Sequence, residues 1–265
     1  MFPVPFCDLD SLAAAIPDGA TIAVPADTYG VAMAATRALL KREPKRLHLV
    51  CVPTSGIQAD ALVGAGAVSG IETSAVALGE YGTAPRFAAA VREGALRVLD
   101  ATCPAIHAGL QASQKGLPFL PVRGILGSDL LAQRTDWKVI ENPFAPGDRI
   151  VVARAIKPDV ALFHAPCADR AGNVLVARSR DLLNMAQASR ETFVTVEEVI
   201  DGNLLADRDR SPGVIPAVYV ARIAVAKRGA WPLGLAGRYD ADAAALERYA
   251  RAAKTADGFR AWLDE

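Results

Sequence analysis

The chain carries only four cysteines, Cys7, Cys51, Cys103 and Cys167, widely separated and in no CxxC spacing. That excludes a disulfide framework and leaves buried, reduced thiols as the expectation. An excess of one charge is missing too. The 29 Lys and Arg balance 29 Asp and Glu, so the field of the whole molecule gives no reason to expect nucleic acid or an acidic membrane as partner. No apolar run approaches the roughly 18 residues of a membrane-spanning helix. The opening MFPVPFCDLD has no basic stretch and places an acid where a secretory leader would have its apolar centre. A cytoplasmic protein without a membrane partner is expected. Internal repeats, low-complexity tracts and obvious linkers are also absent, so residues 1–265 read as one domain.

What is present is an apolar share of 52% against 22% charged residues, enough to bury a full core. Short apolar runs alternate with helical patterns. Strands are expected at Thr21–Val24, Leu47–Val52, Gly70–Ala77 and Ala95–Leu99, with helices at Val31–Lys41, Gln58–Val63 and Ala84–Glu93 between them. This spacing is that of right-handed βαβ units, so the expected fold class is α/β, a single open, mostly parallel sheet flanked by helices. Pro118, Pro121, Pro143, Pro146 and Pro158 then break the chain into extended pieces. This proline-rich middle section is expected to line a cleft. Strands resume at Asp159–His164, Val174–Ala177, Phe193–Val199 and Tyr219–Ala226. One amphipathic helix is expected over Ala241–Leu263, with Leu246, Tyr249, Ala253, Phe259 and Trp262 on its apolar side.

Special residues concentrate in two blocks, Gly109–Asp129 and Lys157–Val174. In the second, the strand Asp159–His164 would deliver His164 from its carboxyl end to a loop, the usual position of an α/β site. In the first, Arg123 leaves an extended segment ahead of the loop Gly127-Ser128-Asp129. Its planar fork suits a carboxylate or phosphate; the bland alternative is an ion pair with Asp129 or Glu141. Upstream, the turn Val24-Pro25-Ala26-Asp27-Thr28-Tyr29-Gly30 follows the first strand, where backbone amides meet ligands, unless Asp27 merely caps the following helix. Cys103, His107 and Gln111 open a helix that could face the cleft, and His107 could equally be a hydrogen-bonded structural residue. Cys103-x3-His107 with His164-x2-Cys167 would supply four zinc donors, but each spacing is common by chance and no metal is assigned. Glu80 could orient a substrate or simply be solvated. Of Glu197 and Glu198, one is expected to point inward beside an arginine.

These blocks, with Val139–Phe144 (VIENPF) and Phe193–Ile200 (FVTVEEVI), resemble the α subunit of family I coenzyme A transferases, the group of the glutaconate and 3-oxoacid enzymes, from about Gly19 to Tyr239. The resemblance implies half of an enzyme. In that family a β-subunit glutamate attacks the acyl-CoA thioester and carries the CoA, while the α subunit contributes substrate and oxyanion contacts. It therefore implies a β-subunit partner in a heteromer, acyl-CoA and a carboxylic acid as substrates, a catabolic role, and no permanently bound cofactor. On this reading Arg123, Ser128, Asp129, Gln111 and Glu80 are substrate or CoA contacts. Ala26, Asp27 and Thr28 form the oxyanion turn, and His107 is the candidate catalytic side chain. The turn departs from the family's glycine-rich pattern, with Pro25 and Ala26 in place of glycines, and Pro25 has no N–H to offer. Two alternatives stand beside this reading. One is an acyl-CoA hydrolase or ring-opening hydrolase of cyclic diketone CoA esters on the same scaffold, whose relatives use a glutamate near Ala101–Gly109, where this chain has no carboxylate. The other is a non-catalytic acyl-CoA-binding homologue.

Overall fold

The computed structural model describes residues 4–28 and 30–264. Its first half alternates as the spacing predicts. After β1 (Phe6–Cys7) and α1 (Leu9–Ala14) come β2 (Thr21–Pro25), α2 (Met33–Lys41), β3 (Leu47–Val52), α3 (Ile57–Gly64), β4 (Val68–Thr73), α4 (Pro85–Arg92), β5 (Arg97–Asp100) and α5 (Cys103–Gln114). Local chemistry starts these helices. The side chains of Asp8 and Thr102 accept from the amides of Ser11 and Ala105, and Pro85 and Pro104 sit in first turns, where an absent N–H is not missed.

The middle section is more ordered than a set of extended pieces. Its strands β6 (Phe119–Val122), β7 (Lys138–Glu141) and β8 (Arg149–Arg154), with the short α6 (Leu130–Gln133), form a separate antiparallel sheet in the order β6-β8-β7. Pro121 lies on the edge strand β6, where a missing donor can face away from the ladder. Arg134, only 2% exposed, ties this sheet to the main one. Its guanidinium contacts Glu72 Oε1 at 2.6 Å, both Asp136 oxygens at 2.9 and 2.8 Å and the Asp100 carbonyl at 3.1 Å, and lies 4.1 Å from the Trp137 ring centroid.

The chain then rejoins the main sheet through β9 (Val160–Asp169), β10 (Val174–Leu175), α7 (Arg180–Ala188), β11 (Glu191–Ile200), β12 (Val214–Ile215) and β13 (Arg222–Val225), and ends in α8 (Ala243–Ala252) and α9 (Ala256–Leu263). Two expectations change here. His164 is not at a strand end, because β9 continues to Asp169 and turns into a hairpin with β10. The Asp169 carboxylate closes that turn, accepting from Ala171 N at 2.9 Å, Asn173 N at 3.0 Å, Asn173 Nδ2 at 2.8 Å and Leu204 N at 2.9 Å. The terminal helix is two helices. Thr255 Oγ1 accepts from Gly258 N at 3.1 Å and starts α9 afresh. The expected apolar side is nonetheless buried, with Tyr249 edge-on to Trp262 at 4.6 Å between centroids.

Eight strands of the main sheet follow the order β1-β13-β11-β9-β2-β3-β4-β5, all parallel, with β10 and β12 attached antiparallel beside β9. Helices cover both faces. Residues of α1, α2, α3, α8 and α9 share one core, and those of α5 and α7 share the other with the small sheet. From β2 the chain builds outward to β5, and from β9 it builds the opposite way through β11 and β13. The strand order therefore reverses between β2 and β9, and such a switch point opens a crevice beyond the carboxyl ends of the strands. β2 and β9 pair only at Ile22↔Val160 and Ala23↔Ala161 before they diverge.

Candidate functional site

The turn after β2 stands at this crevice. Gly30 packs directly on β9, with φ of 52°, and accepts from His164 N at 2.5 Å. A Cβ there would lie 2.1 Å from the His164 carbonyl oxygen, so no other residue fits. Tyr29 lies outside the described residues. Pro25 is the last residue of β2, and the turn proper begins at Ala26. The amides of Asp27 and Thr28 meet no acceptor among the described residues. N–H groups left free at a switch point suit a developing negative charge.

The Asp27 side chain explains why the turn holds this shape. It does not cap the helix that follows, since α2 has no side-chain cap. Instead Oδ2 accepts from Ile57 N at 3.1 Å and from the Gly56 amide, capping α3 from across the sheet. A Cβ at Gly56 would sit 2.0 Å from that oxygen, so glycine is required for the approach. Burial nevertheless pushes the Asp27 carboxyl up to about 6, against the pull of these amides and with the Asp60 charge adding to the rise. Oδ1 is buried without a partner.

Asp27 and Thr28 line a cleft of about 260 Å³ together with Glu80, Tyr81, Leu233 and Tyr249. Glu80 is exposed on a short 3-10 turn, Gly79–Tyr81. The structure thus brings Asp27, Thr28 and Glu80 together, with Ala26 at the base of the same turn. Behind them Asp60 accepts from Phe87 N at 2.7 Å and from the Tyr249 hydroxyl at 2.6 Å. Burial raises its carboxyl above the usual range.

The other expected residues lie elsewhere. Arg123 makes a bidentate pair with Asp148 at 2.7 and 2.6 Å, rather than with Asp129 or Glu141, and remains 67% exposed. Hydrogen bonds from Arg123, then Asn142, pull Asp148 down to about 2. Asp129 precedes α6 without capping it, and the Ser128 hydroxyl is buried without a partner. Gln111 is exposed on α5. His107 faces α7, its Nε2 3.5 Å from Asp181 Oδ1, and Cys103 Sγ lies 3.2 Å from Ser74 Oγ. Among the described residues no group of three His, Cys, Asp or Glu side chains is placed to hold a metal ion, and no helix is long and apolar enough to cross a membrane.

His164 is instead the centre of a buried network. Thr195 Oγ1 lies 2.8 Å from Nδ1 and Glu197 Oε1 lies 2.7 Å from Nε2. Burial lowers the His164 pKa against the pull of Glu197, and the carboxylate beside Nε2 assigns that nitrogen as the donor. Glu197 also accepts from the Tyr239 hydroxyl at 2.7 Å, Arg228 N at 2.8 Å and Gly229 N at 3.1 Å. Burial alone would raise its carboxyl, but these donors together hold it below the usual range. Of the two adjacent glutamates, Glu197 is thus the inward one. Its partners are His164 and Tyr239, and Glu198 takes the arginine, Arg238, at 2.6 Å. Nothing in the local sequence pairs His164 with Tyr239; only the alternation along β11 marks Glu197 as facing inward.

Known proteins share both the sequence pattern and the fold. The family model for coenzyme A transferase matches residues 8–226. The A-type chain of 3-oxoadipate CoA-transferase from Pseudomonas knackmussii is 29% identical over 94% of this chain and 88% of that protein. The A-type chain of glutaconate CoA-transferase from Acidaminococcus fermentans is 31% identical over 78% of this chain and 69% of that protein. The crystal structure of glutaconate coenzyme A-transferase from the same organism superposes with a TM-score of 0.90 and 27% identity, over 98% of this chain and 87% of that one. A variant of the decarboxylase AibA/AibB superposes with a TM-score of 0.86 and 29% identity over 100% of both chains.

Proposed function

The chain belongs to the coenzyme A transferase family, and from that we propose that it is the α subunit of a heteromeric CoA-transferase, moving CoA between an acyl-CoA and a carboxylic acid. One observation carries the division of labour. The buried carboxylates beside the crevice are already engaged: Asp27 by the α3 amides, Asp60 by Tyr249 and Phe87, Glu72 by Arg134, and Glu197 by four donors. A carboxylate committed to donors that hold the fold is poorly placed to attack a thioester. On the family reading the attacking glutamate comes from the β subunit, and the engagement of these buried carboxylates agrees with that. It adds to the thioester carbonyl, the tetrahedral oxyanion collapses with loss of the CoA thiolate, and the resulting acyl-glutamyl anhydride is opened by that thiolate. This yields a glutamyl-CoA thioester and the free acid.

The α subunit's part is to receive the oxyanion on the amides of Asp27 and Thr28. This avoids the residue that cannot donate, because Pro25 ends the strand before the turn begins. The Asp27 carboxyl positions those amides by anchoring the turn to α3. One such donor is worth about 3 kcal/mol in the transition state. Glu80, Arg123, Gln111, Ser128 and Asp129 are proposed contacts for substrate or CoA, Glu80 from within the cleft and the others from the opposite face and the small sheet. His107 is assigned no catalytic step. The enzyme acts in the cytoplasm, where its four cysteines remain free. The acyl-CoA is a substrate, and the chain itself carries no prosthetic group in this scheme.

The test is CoA exchange between an acyl-CoA and a free acid, with this chain alone and with the product of its adjacent gene. Exchange is expected only from the mixture, and exchange by this chain alone would sink the proposal. The full-length likeness to AibA/AibB supports a second reading, decarboxylation of an acyl-CoA, which would release CO2 without an acceptor acid. The hydrolase alternative is weaker, because the first turns of α5 hold no carboxylate to act as base.

A further inference from the structure

We propose that the cleft at the start of α7 binds the phosphates of coenzyme A, an inference that rests on the CoA-transferase reading above. The cleft, about 710 Å³, lies between the segment joining β10 to α7 and the loop leading into β12. Arg178, Arg180 and Arg210 line it, opposed by the single acid Asp209, so its net charge is positive. Arg178 and Arg180 are exposed and enter no ion pair among the described residues; Arg210 is held only by Asp207, at 3.4 Å. Guanidinium forks of this kind match phosphate geometry.

The amino end of α7, a nine-residue helix, opens on the same cleft. Its N-terminal amides favour an anion. Ser179, in the cap position, lines the cleft, is 8% exposed, makes no cap hydrogen bond, and has an Oγ with no partner. A buried hydroxyl without a partner is costly, and a phosphate oxygen is the partner this site lacks. Asp181, the acid in the first turn, is directed to His107 and does not line the cleft. Val176 and Ile215 supply an apolar wall, which suits a phosphate ester carrying a flat base better than free phosphate.

Position ties this cleft to the chemistry. A Cβ at Gly30 would lie 3.4 Å from Leu182 Cδ1, so the first turn of α7 packs against the turn that carries the free amides of Asp27 and Thr28. One ligand can then place its phosphates at α7 and its thioester at the switch point. The arginine-bearing segment is fixed for this role. Val176 N donates to Gly213 O at 2.8 Å, and a Cβ at Gly213 would come within 2.4 Å of the Ala177 carbonyl oxygen.

The experiment uses the reconstituted heteromer with Arg178→Ala and Arg180→Ala combined, both exposed positions, checked for an unchanged melting temperature and unchanged assembly. Exchange is measured with an acyl-CoA and with the matching acyl-pantetheine, which lacks the nucleotide phosphates. A KM for acyl-CoA raised about tenfold or more, with kcat and the acyl-pantetheine KM unchanged, is expected. An unchanged KM for acyl-CoA, an equal rise for both thioesters, or loss of assembly in the variant would overturn the site. If the wild-type heteromer transfers no CoA at all, the transferase reading falls by itself. The site is then judged by calorimetric titration with CoA and with adenosine 3′,5′-bisphosphate: binding weakened about tenfold in the variant keeps it, and equal binding removes it.

Discussion

Asp27 combines two demands that oppose each other. Its Oδ2 fixes the turn through amides that favour a carboxylate, yet burial favours the acid, and the balance puts its pKa at about 6. The folded state therefore holds the proton more tightly than the unfolded chain. The stability this confers is present below the ordinary value near 3.8 and is lost as pH rises through about 6. Asp27→Asn mimics the neutral form and keeps an acceptor for Ile57 N. It is expected to leave stability at pH 4 nearly unchanged and to raise it at pH 8 by up to about 3 kcal/mol, at roughly 1.4 kcal/mol per pKa unit. Urea unfolding at both pH values checks this, and an equal gain at both would contradict it. Asp27→Ala, which releases the turn from α3, is expected to cut kcat of the heteromer by about tenfold or more while KM stays within a factor of about two. A matching rise in KM with kcat intact would assign Asp27 to ground-state binding instead.

At the scale of elements, the boundaries written in local chemistry were readable and those set by distant contacts were not. Leu47–Val52 is the strand its β-branched, apolar run predicts, and α4 starts at the proline that suits a first turn. By contrast, the periodicity of Ala241–Leu263 persists through a break, because α8 and α9 lean on the same core and keep one apolar side. The Thr255 cap decides the break. Thr255→Ala is expected to cost about 1 kcal/mol, and Phe259→Ala about 3–5 kcal/mol, because Phe259 fills the space left by Gly64 on α3. Thermal unfolding of the two variants measures the ratio; similar losses would mean that the cap carries more than α9's own start. The proline-rich section was harder still. Its prolines rightly exclude long helices, but the antiparallel pairing of β6, β7 and β8 joins segments whose partners lie across α6 and a loop.

At the scale of the whole molecule, a few buried polar networks lock distant parts of the chain together. Arg134 and Glu72 join the small sheet to β4, and Glu197 ties residues 228, 229 and 239, beyond the matched family segment, to β9 and β11. Arg134→Met would leave Glu72, 7% exposed, buried without its counter-charge. A loss of about 3–5 kcal/mol is expected, and the double variant with Glu72→Met should recover most of it. Failure of the second change to rescue the first, in chemical denaturation, would show that Arg134 acts mainly through Asp136 and Trp137. The sequence by itself determined the alternation of strands and helices and the resemblance to the family, which in turn implies a partner subunit, because periodicity, turn residues and motif order are local and survive without knowledge of contacts. The tertiary structure decided which groups meet: Asp27 with the start of α3, Glu197 with His164 and Tyr239, and Arg178 and Arg180 with Arg210 around one cleft. Those meetings depend on the strand order reversing between β2 and β9, and on which distant donor reaches each buried carboxylate.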